Sequence, residues 1–451
     1  MKKKSSKIYE LPLSFYLTRK YVVFCFKRFY SEFIVVGREN IPTEGPVIYA
    51  PNHINALMDA VAVHAVVSPK LPLIFLARAD IFRNKSIARF LRFTKIMPAF
   101  RMRDGMENLN KNNEIFDQCV EILDHRKALG IMPEGNQGEQ RKLRPLVKGI
   151  FRIAFTAQQQ FGENEGVKIV PVGIDLGDYV KFGKHIIINI GKPIEVSEYM
   201  NLYAENQVTA TNEIRNRLRN DLNNLSLNLA IDSYYDCFEI VVEVANEAVL
   251  NELKLPNKTV YRFIARQKIA ERLVKMEKNE PLNMEKLQAL SFNYQNALQQ
   301  NKLKTVLFDN NKYSYNWSDG LTLIWTFPIF VLGFVLNFLP FFIPEFIRKD
   351  ILKVKDIGFF SSLHFGLGML TFPIFYILQT LVFSWISSVA WWWLLLFLLS
   401  QYTLGKGALR WYKTFTKLRA SIRFNKLKRK KPAKMAEMIA LRKEIIEMIS
   451  R

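Results

Sequence analysis

Short apolar runs alternate with helical stretches between residues 37 and 200. The runs have the length of β-strands and are bounded by Pro, Gly or Asn. The strand candidates are Val47–Ala50, Leu73–Ala77, Leu129–Met132, Val167–Val172 and Ile186–Ile190. The helix candidates are Ala60–Val67, Ser86–Phe93, Ile115–His125 and Gly149–Gln160. The alternation predicts an α/β domain with a mixed, largely parallel sheet flanked by helices.

Two long runs near the C-terminus contain no charged residue. Residues 320–344 form a run of 25 and residues 357–405 a run of 49 without Asp, Glu, Lys or Arg. A spanning helix needs about 20 apolar residues, so we expect C-terminal transmembrane helices rather than core helices of a soluble protein. Basic residues follow both runs, which places both following loops on the cytoplasmic side. The first run is then an in-plane or re-entrant segment, and the second a two-span hairpin.

These patterns divide the chain into five parts. We expect residues 1–36 to form a basic amphipathic segment that lies at the membrane interface. The alternative for this segment is a helix packed on the α/β domain. The α/β domain occupies 37–200, and a helical connector rich in Asn, Gln, Glu and Lys occupies 201–318. Membrane segments follow in 319–405, and 406–451 form a basic cytoplasmic tail.

Charge alone does not choose a partner. The net charge is +23, and residues 406–451 hold fifteen Lys and Arg against three Glu. Such ends suit nucleic acid or an anionic membrane equally, and the apolar runs favour membrane lipids, with no nucleic acid expected. The three cysteines form no C-x-x-C pattern, so we expect neither disulfides nor a zinc site, and no other metal site. We expect an integral membrane protein whose α/β domain faces the cytoplasm, in the inner membrane if the source is bacterial.

A histidine and a carboxylate follow the first strand candidate at short spacing. Asn52 and His53 come just after Val47–Ala50, and Asp59 lies six residues after His53. An imidazole can take the proton of a hydroxyl that attacks a thioester, and a carboxylate on its other nitrogen fixes the tautomer. On one regular helix the two side chains would point about 120° apart, so contact requires His53 in the turn before the helix. Alone, the pair also fits a structural histidine.

A second motif follows the third strand candidate. Glu134 and Gly135 come after Leu129–Met132, so they and His53 would share the edge of the sheet where parallel strands end. Arginine and lysine nearby could pair with a phosphate, although each alone also fits a solvated surface charge. These candidate phosphate ligands are Arg101, Arg103, Arg141, Arg144 and Lys148.

Four blocks in this order resemble the glycerolipid acyltransferase family, which includes glycerol-3-phosphate and 1-acylglycerol-3-phosphate O-acyltransferases. The blocks are Asn52-His53 through Asp59, Pro98 through Arg101, Met132-Pro133-Glu134-Gly135 with Lys148-Gly149, and Val170-Pro171-Val172, all within residues 37–200.

The resemblance implies an acyltransferase domain and a set of roles. His53 would act as base on the acceptor hydroxyl and Asp59 would orient it. Arg101 would bind the acceptor phosphate, while Glu134 and Gly135 would help to seat the acceptor. Asn52, beside His53, is a further candidate for binding substrate. Acyl-CoA or acyl carrier protein would supply the acyl group as co-substrate, without a further cofactor.

Two departures bear on the acceptor. Five residues separate His53 from Asp59, where the commoner pattern has four, and this spacing resembles a branch with glycerol-3-phosphate and dihydroxyacetone-phosphate acyltransferases. Asn136-Gln137 stand where Thr-Arg often follows Pro-Glu-Gly, so Arg141 or Arg144 would have to replace the missing arginine.

The sequence thus predicts a membrane-bound O-acyltransferase of phospholipid biosynthesis. It would move a fatty acyl group from a thioester to glycerol-3-phosphate or to a lysophospholipid such as 1-acylglycerol-3-phosphate. The alternatives are a catalytically silent membrane scaffold that binds anionic lipid, and a lipid or thioester hydrolase, although no G-x-S-x-G elbow is present. Acyl-chain preference and the choice of acyl carrier remain open.

Overall fold

The computed structural model describes residues 8–100, 106–138, 140–162, 165–231, 234–309 and 317–450. The chain divides into two compact units. The first comprises Met1–Asn228 and Asp356–Phe365, and the second comprises Leu229–Lys355 and Gly366–Arg451.

The first unit is built on one eight-stranded sheet. Its order is β1-β7-β6-β2-β5-β3-β4, with β8 beside β6. Parallel pairs join β1 to β7, β2 to both β5 and β6, and β3 to both β4 and β5, whereas β6 runs antiparallel to β7 and β8. The strands are β1 (Glu32–Val36), β2 (Val47–Pro51), β3 (Leu73–Arg78), β4 (Ile96–Ala99), β5 (Ala128–Gly130), β6 (Lys168–Leu176), β7 (His185–Ile190) and β8 (Ile194–Glu195). The predicted fold class is confirmed.

Among the described residues, seven helices flank this sheet. They are α1 (Leu13–Phe29), α2 (Ala56–Val66), α3 (Lys85–Phe93), α4 (Met106–Asp124), α5 (Gly149–Phe161), α6 (Met200–Glu205) and α7 (Gln207–Leu225). The buried apolar side chains of α7 recur every four residues, at Ala210, Ile214, Leu218 and Leu222, and join the core beneath the sheet. The Asn206 side chain accepts hydrogen bonds from Val208 N and Thr209 N and so caps this helix. The first unit therefore continues beyond residue 200, into a region assigned from sequence to the connector.

Most predicted elements are present, with shifted ends. The predicted strand Leu129–Met132 ends at Gly130, because the Met132 carbonyl accepts a turn hydrogen bond from Gly135 N. Strand β1 lies inside the predicted N-terminal segment, and β4 was only a short apolar run before Arg101. Both strands were missed.

Helix α1 packs on the sheet unit along one face. Phe15, Arg19 and Phe26 are buried. The Arg19 guanidinium donates to the carbonyl oxygens of His64, Val67 and Leu71, at and just beyond the end of α2. Cationic donors satisfy the carbonyls that a helix end leaves without partners, which explains this buried arginine.

The second unit is helical. Its helices are α8 (Tyr235–Glu252), α9 (Thr259–Asn279), α10 (Pro281–Gln300), α11 (Trp317–Trp325), α12 (Phe327–Phe346), α13 (Phe360–Ile386), α14 (Trp391–Lys430) and α15 (Pro432–Ser450). The first residues of α13, up to Phe365, belong to the first unit, and the rest of this helix belongs to the second. Helix α15 carries buried Met438 and Ile445, and its Arg442 pairs with Asp309. Residues 406–451, which were expected to form a tail, are therefore helical up to residue 450 and carry buried side chains.

Two helices among the described residues are long and apolar enough to cross a membrane. They are Phe327–Ile351, with mean hydropathy 2.0, and Ile357–Ile386, with mean hydropathy 1.7. A break at residues 387–390 separates α13 from α14, within the run expected to form a hairpin. Helix α14 continues past Gly405 to Lys430 without interruption.

Polar side chains join the apolar helices of this unit. The Tyr376 hydroxyl donates to Asn337 Oδ1 over 2.6 Å, and Asn337 Nδ2 donates to the Gln401 carbonyl over 3.2 Å. Gln401 Nε2 in turn donates to the Tyr376 carbonyl over 3.2 Å. Such interhelical hydrogen bonds hold apolar helices together where burial of apolar surface provides little net drive.

Candidate active site

His53 lies in an irregular turn between β2 and α2, which we call the His53 turn (Asn52–Asn55). Strand β2 ends at Pro51 and α2 begins at Ala56. The Asn52 side chain extends the sheet pairing, because its Oδ1 accepts from Ile174 N at 2.6 Å and its Nδ2 donates to Ile174 O at 3.1 Å. Asn52 was predicted to bind substrate, and the structure gives its amide a backbone partner in β6.

The turn brings His53 against Asp59. His53 Nδ1 lies 2.9 Å from Asp59 Oδ2, and the side chains are 16% and 0% exposed. The same Oδ2 accepts from Ile54 N at 2.8 Å and from Asn55 N at 2.7 Å. The contact expected for a histidine in the turn before the helix is therefore present, and two backbone N–H groups fix the carboxylate.

Burial and hydrogen bonding act in opposite directions on Asp59. Burial raises the pKa of this carboxyl above its ordinary value, while the hydrogen bonds from His53, Asn55 and Ile54 lower it. An ionised Asp59 accepts a hydrogen bond from His53 Nδ1–H, which leaves Nε2 as the basic nitrogen of the neutral imidazole.

Glu134 braces the same turn from the other side. Its Oε1 accepts from His53 N at 2.7 Å, and its Oε2 accepts from Arg144 N at 2.9 Å. Burial is the main cause that raises the pKa of Glu134, to about 6. Glu134 was predicted to seat the acceptor, and the structure shows it linking the backbone of His53 to the loop that carries Arg144.

Gly135 allows the chain to turn directly after Glu134. Its φ is +71°, and an added Cβ would lie 3.2 Å from Val147 Cγ1. A side chain is strained in this left-handed conformation, so glycine suits the position. Gly138 N then donates to the His53 carbonyl over 3.1 Å, which ties the loop to the turn a second time.

The predicted phosphate ligands differ in their surroundings. Arg141 is buried and its Nη1 lies 2.6 Å from Asp175 Oδ1, so this cation has a partner within the fold. Arg144 and Lys148 are exposed. Arg101 and Arg103 lie outside the described residues. A role for any of these cations at a phosphate stays a prediction.

Several polar residues at the site were missed from sequence. The amide of Asn55 is hydrogen-bonded to Ser361 and Ser362, and that of Gln137 to Asp356. The signal was present as the long His-to-Asp spacing and the Asn136-Gln137 replacement, but neither pointed to a segment more than 200 residues away.

No group of three or more His, Cys, Asp or Glu side chains is placed to hold a metal ion in the part of the chain that the structure describes. The site consists of the candidate base His53 with the Asp59 carboxylate, and of Glu134, whose carboxylate accepts hydrogen bonds from two backbone N–H groups. The exposed cations Arg144 and Lys148 follow Glu134 in the chain.

Comparison with known proteins gives the class of this domain. Residues 32–175 match the model of the acyltransferase family. These residues form an acyltransferase domain, and the protein is an acyltransferase.

Two relatives and one solved structure illustrate this likeness. The 1-acyl-sn-glycerol-3-phosphate acyltransferase of Bacillus subtilis is 24% identical over 184 residues, covering 41% of this chain and 84% of that protein. Glycerol-3-phosphate O-acyltransferase 1 of Saccharomyces cerevisiae is 27% identical over 101 residues, covering 22% of this chain and only 13% of that protein. The crystal structure of the 1-acyl-sn-glycerophosphate (LPA) acyltransferase PlsC from Thermotoga maritima aligns with TM-score 0.34 and 19% identity, covering 46% of this chain and 76% of that one.

Proposed function

We propose that the protein is a membrane-bound O-acyltransferase that moves a fatty acyl group from a thioester to glycerol-3-phosphate, in phospholipid biosynthesis. The observation that carries this proposal is the contact between His53 Nδ1 and Asp59 Oδ2, which leaves Nε2 available to take a proton from a substrate hydroxyl. A lysophospholipid such as 1-acylglycerol-3-phosphate is the second acceptor.

The chemistry follows from this tautomer. His53 Nε2 takes the proton of the acceptor hydroxyl while the hydroxyl oxygen attacks the carbonyl carbon of the thioester. The new C–O bond gives a tetrahedral intermediate, the C–S bond then breaks, and the leaving thiolate takes the proton from His53. Asp59 stabilises the imidazolium between these two steps. No acyl-enzyme forms, and the thioester supplies the driving force.

Exposed cations near the turn support a phosphorylated acceptor. Arg144 belongs to the loop whose backbone binds Glu134, and Lys148 immediately precedes α5. Both cations are exposed, so a phosphate can reach them. The long His-to-Asp spacing favours glycerol-3-phosphate, and the names of the relatives allow either acceptor.

The two apolar helices support attachment to a membrane. Only 17% of the most apolar window of Phe327–Ile351 and 11% of that of Ile357–Ile386 is buried. Core helices of a soluble protein would be largely buried, so low burial favours lipid contact. We propose that both helices insert in the bilayer and that the acyltransferase domain faces the cytoplasm, where acyl-CoA or acyl carrier protein supplies the donor.

The outer surface of the acyltransferase domain also fits a membrane interface. Helices α1 and α3 meet at Phe15 and Phe93, whose ring centroids are 6.4 Å apart. Both helices expose large apolar side chains, namely Leu13, Leu17, Phe24, Ile87 and Phe90. Exposed lysine and arginine flank them, namely Lys20, Lys85, Arg89 and Arg92. Apolar side chains ringed by cations suit an anionic bilayer surface.

The test is an acceptor competition with the purified full chain in nanodiscs that contain anionic lipid. Glycerol-3-phosphate, dihydroxyacetone phosphate and 1-acylglycerol-3-phosphate are offered together, first with acyl-CoA and then with acyl carrier protein, and products are identified by mass spectrometry. We expect the acyl ester of glycerol-3-phosphate to dominate, with one thiol released per ester. Free fatty acid without ester would indicate a hydrolase, and no product would indicate the silent scaffold.

A further inference from the structure

A segment distant in sequence touches the His53 turn within the first unit. This segment, Asp356–Phe365, contains the first residues of the apolar helix Ile357–Ile386. Asn55 Nδ2 donates to Ser361 Oγ over 2.7 Å, and Ser362 Oγ donates to Asn55 Oδ1 over 2.8 Å. Ser362 Oγ also accepts from Leu57 N at 3.2 Å. Asn55 is 0% exposed, so these hydrogen bonds are shielded from water.

A second contact joins the same segment to the Pro-Glu-Gly loop. Gln137 Nε2 donates to Asp356 Oδ2 over 2.9 Å, while Gln137 Oε1 accepts from Ala56 N at 3.2 Å. Asp356 Oδ1 accepts from Gly358 N at 2.9 Å, which fixes the carboxylate that receives Gln137. Gln137 therefore bridges Asp356 to the first residue of α2.

The segment is also anchored on α1. Phe365 is 3% exposed, and its ring meets the rings of Phe26 and Phe29 edge-on, with centroids 5.8 Å and 5.7 Å away. Edge-to-face contacts of this kind stabilise a fixed arrangement of rings. The packing of Phe365 against α1 therefore fixes the position of the nearby Ser361 and Ser362 hydroxyls.

Asn55 links the segment most directly to the His53–Asp59 pair. Asn55 places its side chain against Ser361 and Ser362, while its backbone N–H donates to Asp59 Oδ2 at 2.7 Å. A shift of Asn55 therefore moves a hydrogen-bond donor of the carboxylate that orients His53. Asn55 lies within the long His-to-Asp spacing, and Gln137 stands at the arginine position of the commoner pattern. Each of the two departures from that pattern thus supplies a side chain, Asn55 or Gln137, that is hydrogen-bonded to the segment.

We propose that Asp356, Ser361 and Ser362 are positioning residues for acyl transfer. They hold Asn55 and Gln137, and through them the His53 turn, so that His53 Nε2 faces the acceptor hydroxyl. This inference rests on the proposed role of His53 as base. It makes the start of a candidate membrane helix part of the machinery that sets the geometry of the base.

The first test replaces the two serines together, as Ser361→Ala with Ser362→Ala, in the full chain in nanodiscs. We expect kcat to fall about 10- to 100-fold, because small displacements of a catalytic group have effects of this order, while KM for both substrates stays within about twofold. Ser387→Ala is the matched control. Its hydroxyl donates to Phe383 O over 2.6 Å near the other end of the same helix, and its kcat should equal that of the wild type.

The second test breaks and restores the contact between Gln137 and Asp356. Gln137→Glu sets two carboxylates against each other, and we expect kcat to fall about 10-fold. Adding Asp356→Asn supplies an amide that can donate to the introduced carboxylate, whose other oxygen still accepts from Ala56 N. The introduced amide oxygen can still accept from Gly358 N. We expect this double variant to recover kcat to within about threefold of the wild type, at an unchanged thermal midpoint.

The outcomes separate the inference from the proposed function. His53→Ala is assayed in parallel. If it transfers acyl groups as the wild type does, the proposed function fails. If it is inactive while the serine double variant retains wild-type kcat, only the positioning role fails. A loss of kcat in Gln137→Glu that the second substitution does not restore, with every variant folded, would also overturn the positioning role.

Discussion

Two histidine–aspartate pairs lie among the described residues of the first unit, and they differ in distance and in the other partners of the aspartate. His53 approaches Asp59 to 2.9 Å, whereas His185 Nε2 stays 3.6 Å from Asp175 Oδ2. Asp59 holds His53 with help from backbone N–H groups, whereas the buried guanidinium of Arg141 lies 2.6 Å from Asp175.

The comparison shows why proximity alone does not make a catalytic pair. The Arg141 guanidinium already compensates the negative charge of Asp175, so this carboxylate would stabilise a neighbouring imidazolium only weakly. Asp59 Oδ2 instead accepts from His53 Nδ1 and from two backbone N–H groups, which carry no full charge, so its negative charge can stabilise an imidazolium.

The largest effect is expected on the free energy of unfolding, at the Arg141–Asp175 ion pair. Asp175→Ala leaves the buried Arg141 guanidinium without its carboxylate, and we expect the free energy of unfolding to fall by about 3–5 kcal/mol. The kcat of the molecules that remain folded at low temperature should stay near the wild-type value. Denaturant unfolding in detergent, combined with an assay normalised to folded protein, measures both. A large loss of kcat in the folded fraction would place Asp175 in the chemistry.

Asp59→Asn should show the opposite profile. The amide oxygen can still accept hydrogen bonds, but it no longer stabilises an imidazolium or enforces the tautomer with Nε2 basic. We expect kcat to fall about 10²- to 10³-fold with little change in the free energy of unfolding. Steady-state kinetics and thermal unfolding of the same preparation give the two numbers. Unfolding without loss of activity per folded molecule would make Asp59 structural.

A third buried carboxylate gives a prediction about pH. Burial raises the pKa of Glu134 from 4.5 to about 6, so this group favours the folded state fully below pH 4.5 and loses that contribution as pH rises through 6. A pKa change of this size corresponds to about 2 kcal/mol. Glu134→Gln cannot titrate, so the free energy of unfolding of the wild type relative to this variant should fall by about 2 kcal/mol between pH 4.5 and 7.

Glu134→Gln also tests the hydrogen bonds of this carboxylate. Both oxygens accept backbone N–H groups, from His53 and Arg144, and an amide must turn its NH2 group toward one of them. We expect kcat to fall about 10-fold at neutral pH, because the His53 backbone loses a fixed partner. If the free energy of unfolding depends on pH in the same way in the wild type and in Glu134→Gln, the raised pKa of Glu134 is contradicted.

The smallest effect is expected at the second histidine. His185 is 29% exposed and too far from Asp175 for a good hydrogen bond, so His185→Ala should change the free energy of unfolding by no more than about 0.5 kcal/mol. Thermal unfolding and the acyl transfer assay check this. A loss of kcat would remove the distinction between the two pairs.

The sequence predicted the sheet and the His53–Asp59 contact because both depend on local pattern. Strand β2 is a continuous apolar run that ends at Pro51, and the helical geometry already required His53 to lie outside α2. Strands β1 and β4 were missed because β1 directly follows the basic, aromatic N-terminal stretch that was predicted to lie at the membrane interface, and β4 contains Pro98, which weakens a strand signal.

The remaining partners of the site could not be predicted, because they depend on contacts between distant parts of the chain. Nothing local to Arg141 shows that it meets Asp175, and nothing local to Asn55 shows that it meets Ser361 and Ser362. Such pairs are set by the packing of the whole first unit, whereas strand and helix signals extend over a few residues.

The central claim is that His53, and not merely a histidine beside an aspartate, takes the acceptor proton. Acyl transfer to glycerol-3-phosphate by His53→Ala and by His185→Ala, measured side by side in nanodiscs, tests it most directly. We expect kcat to fall at least about 10³-fold in His53→Ala and to keep its wild-type value in His185→Ala. Wild-type turnover by folded His53→Ala would contradict it.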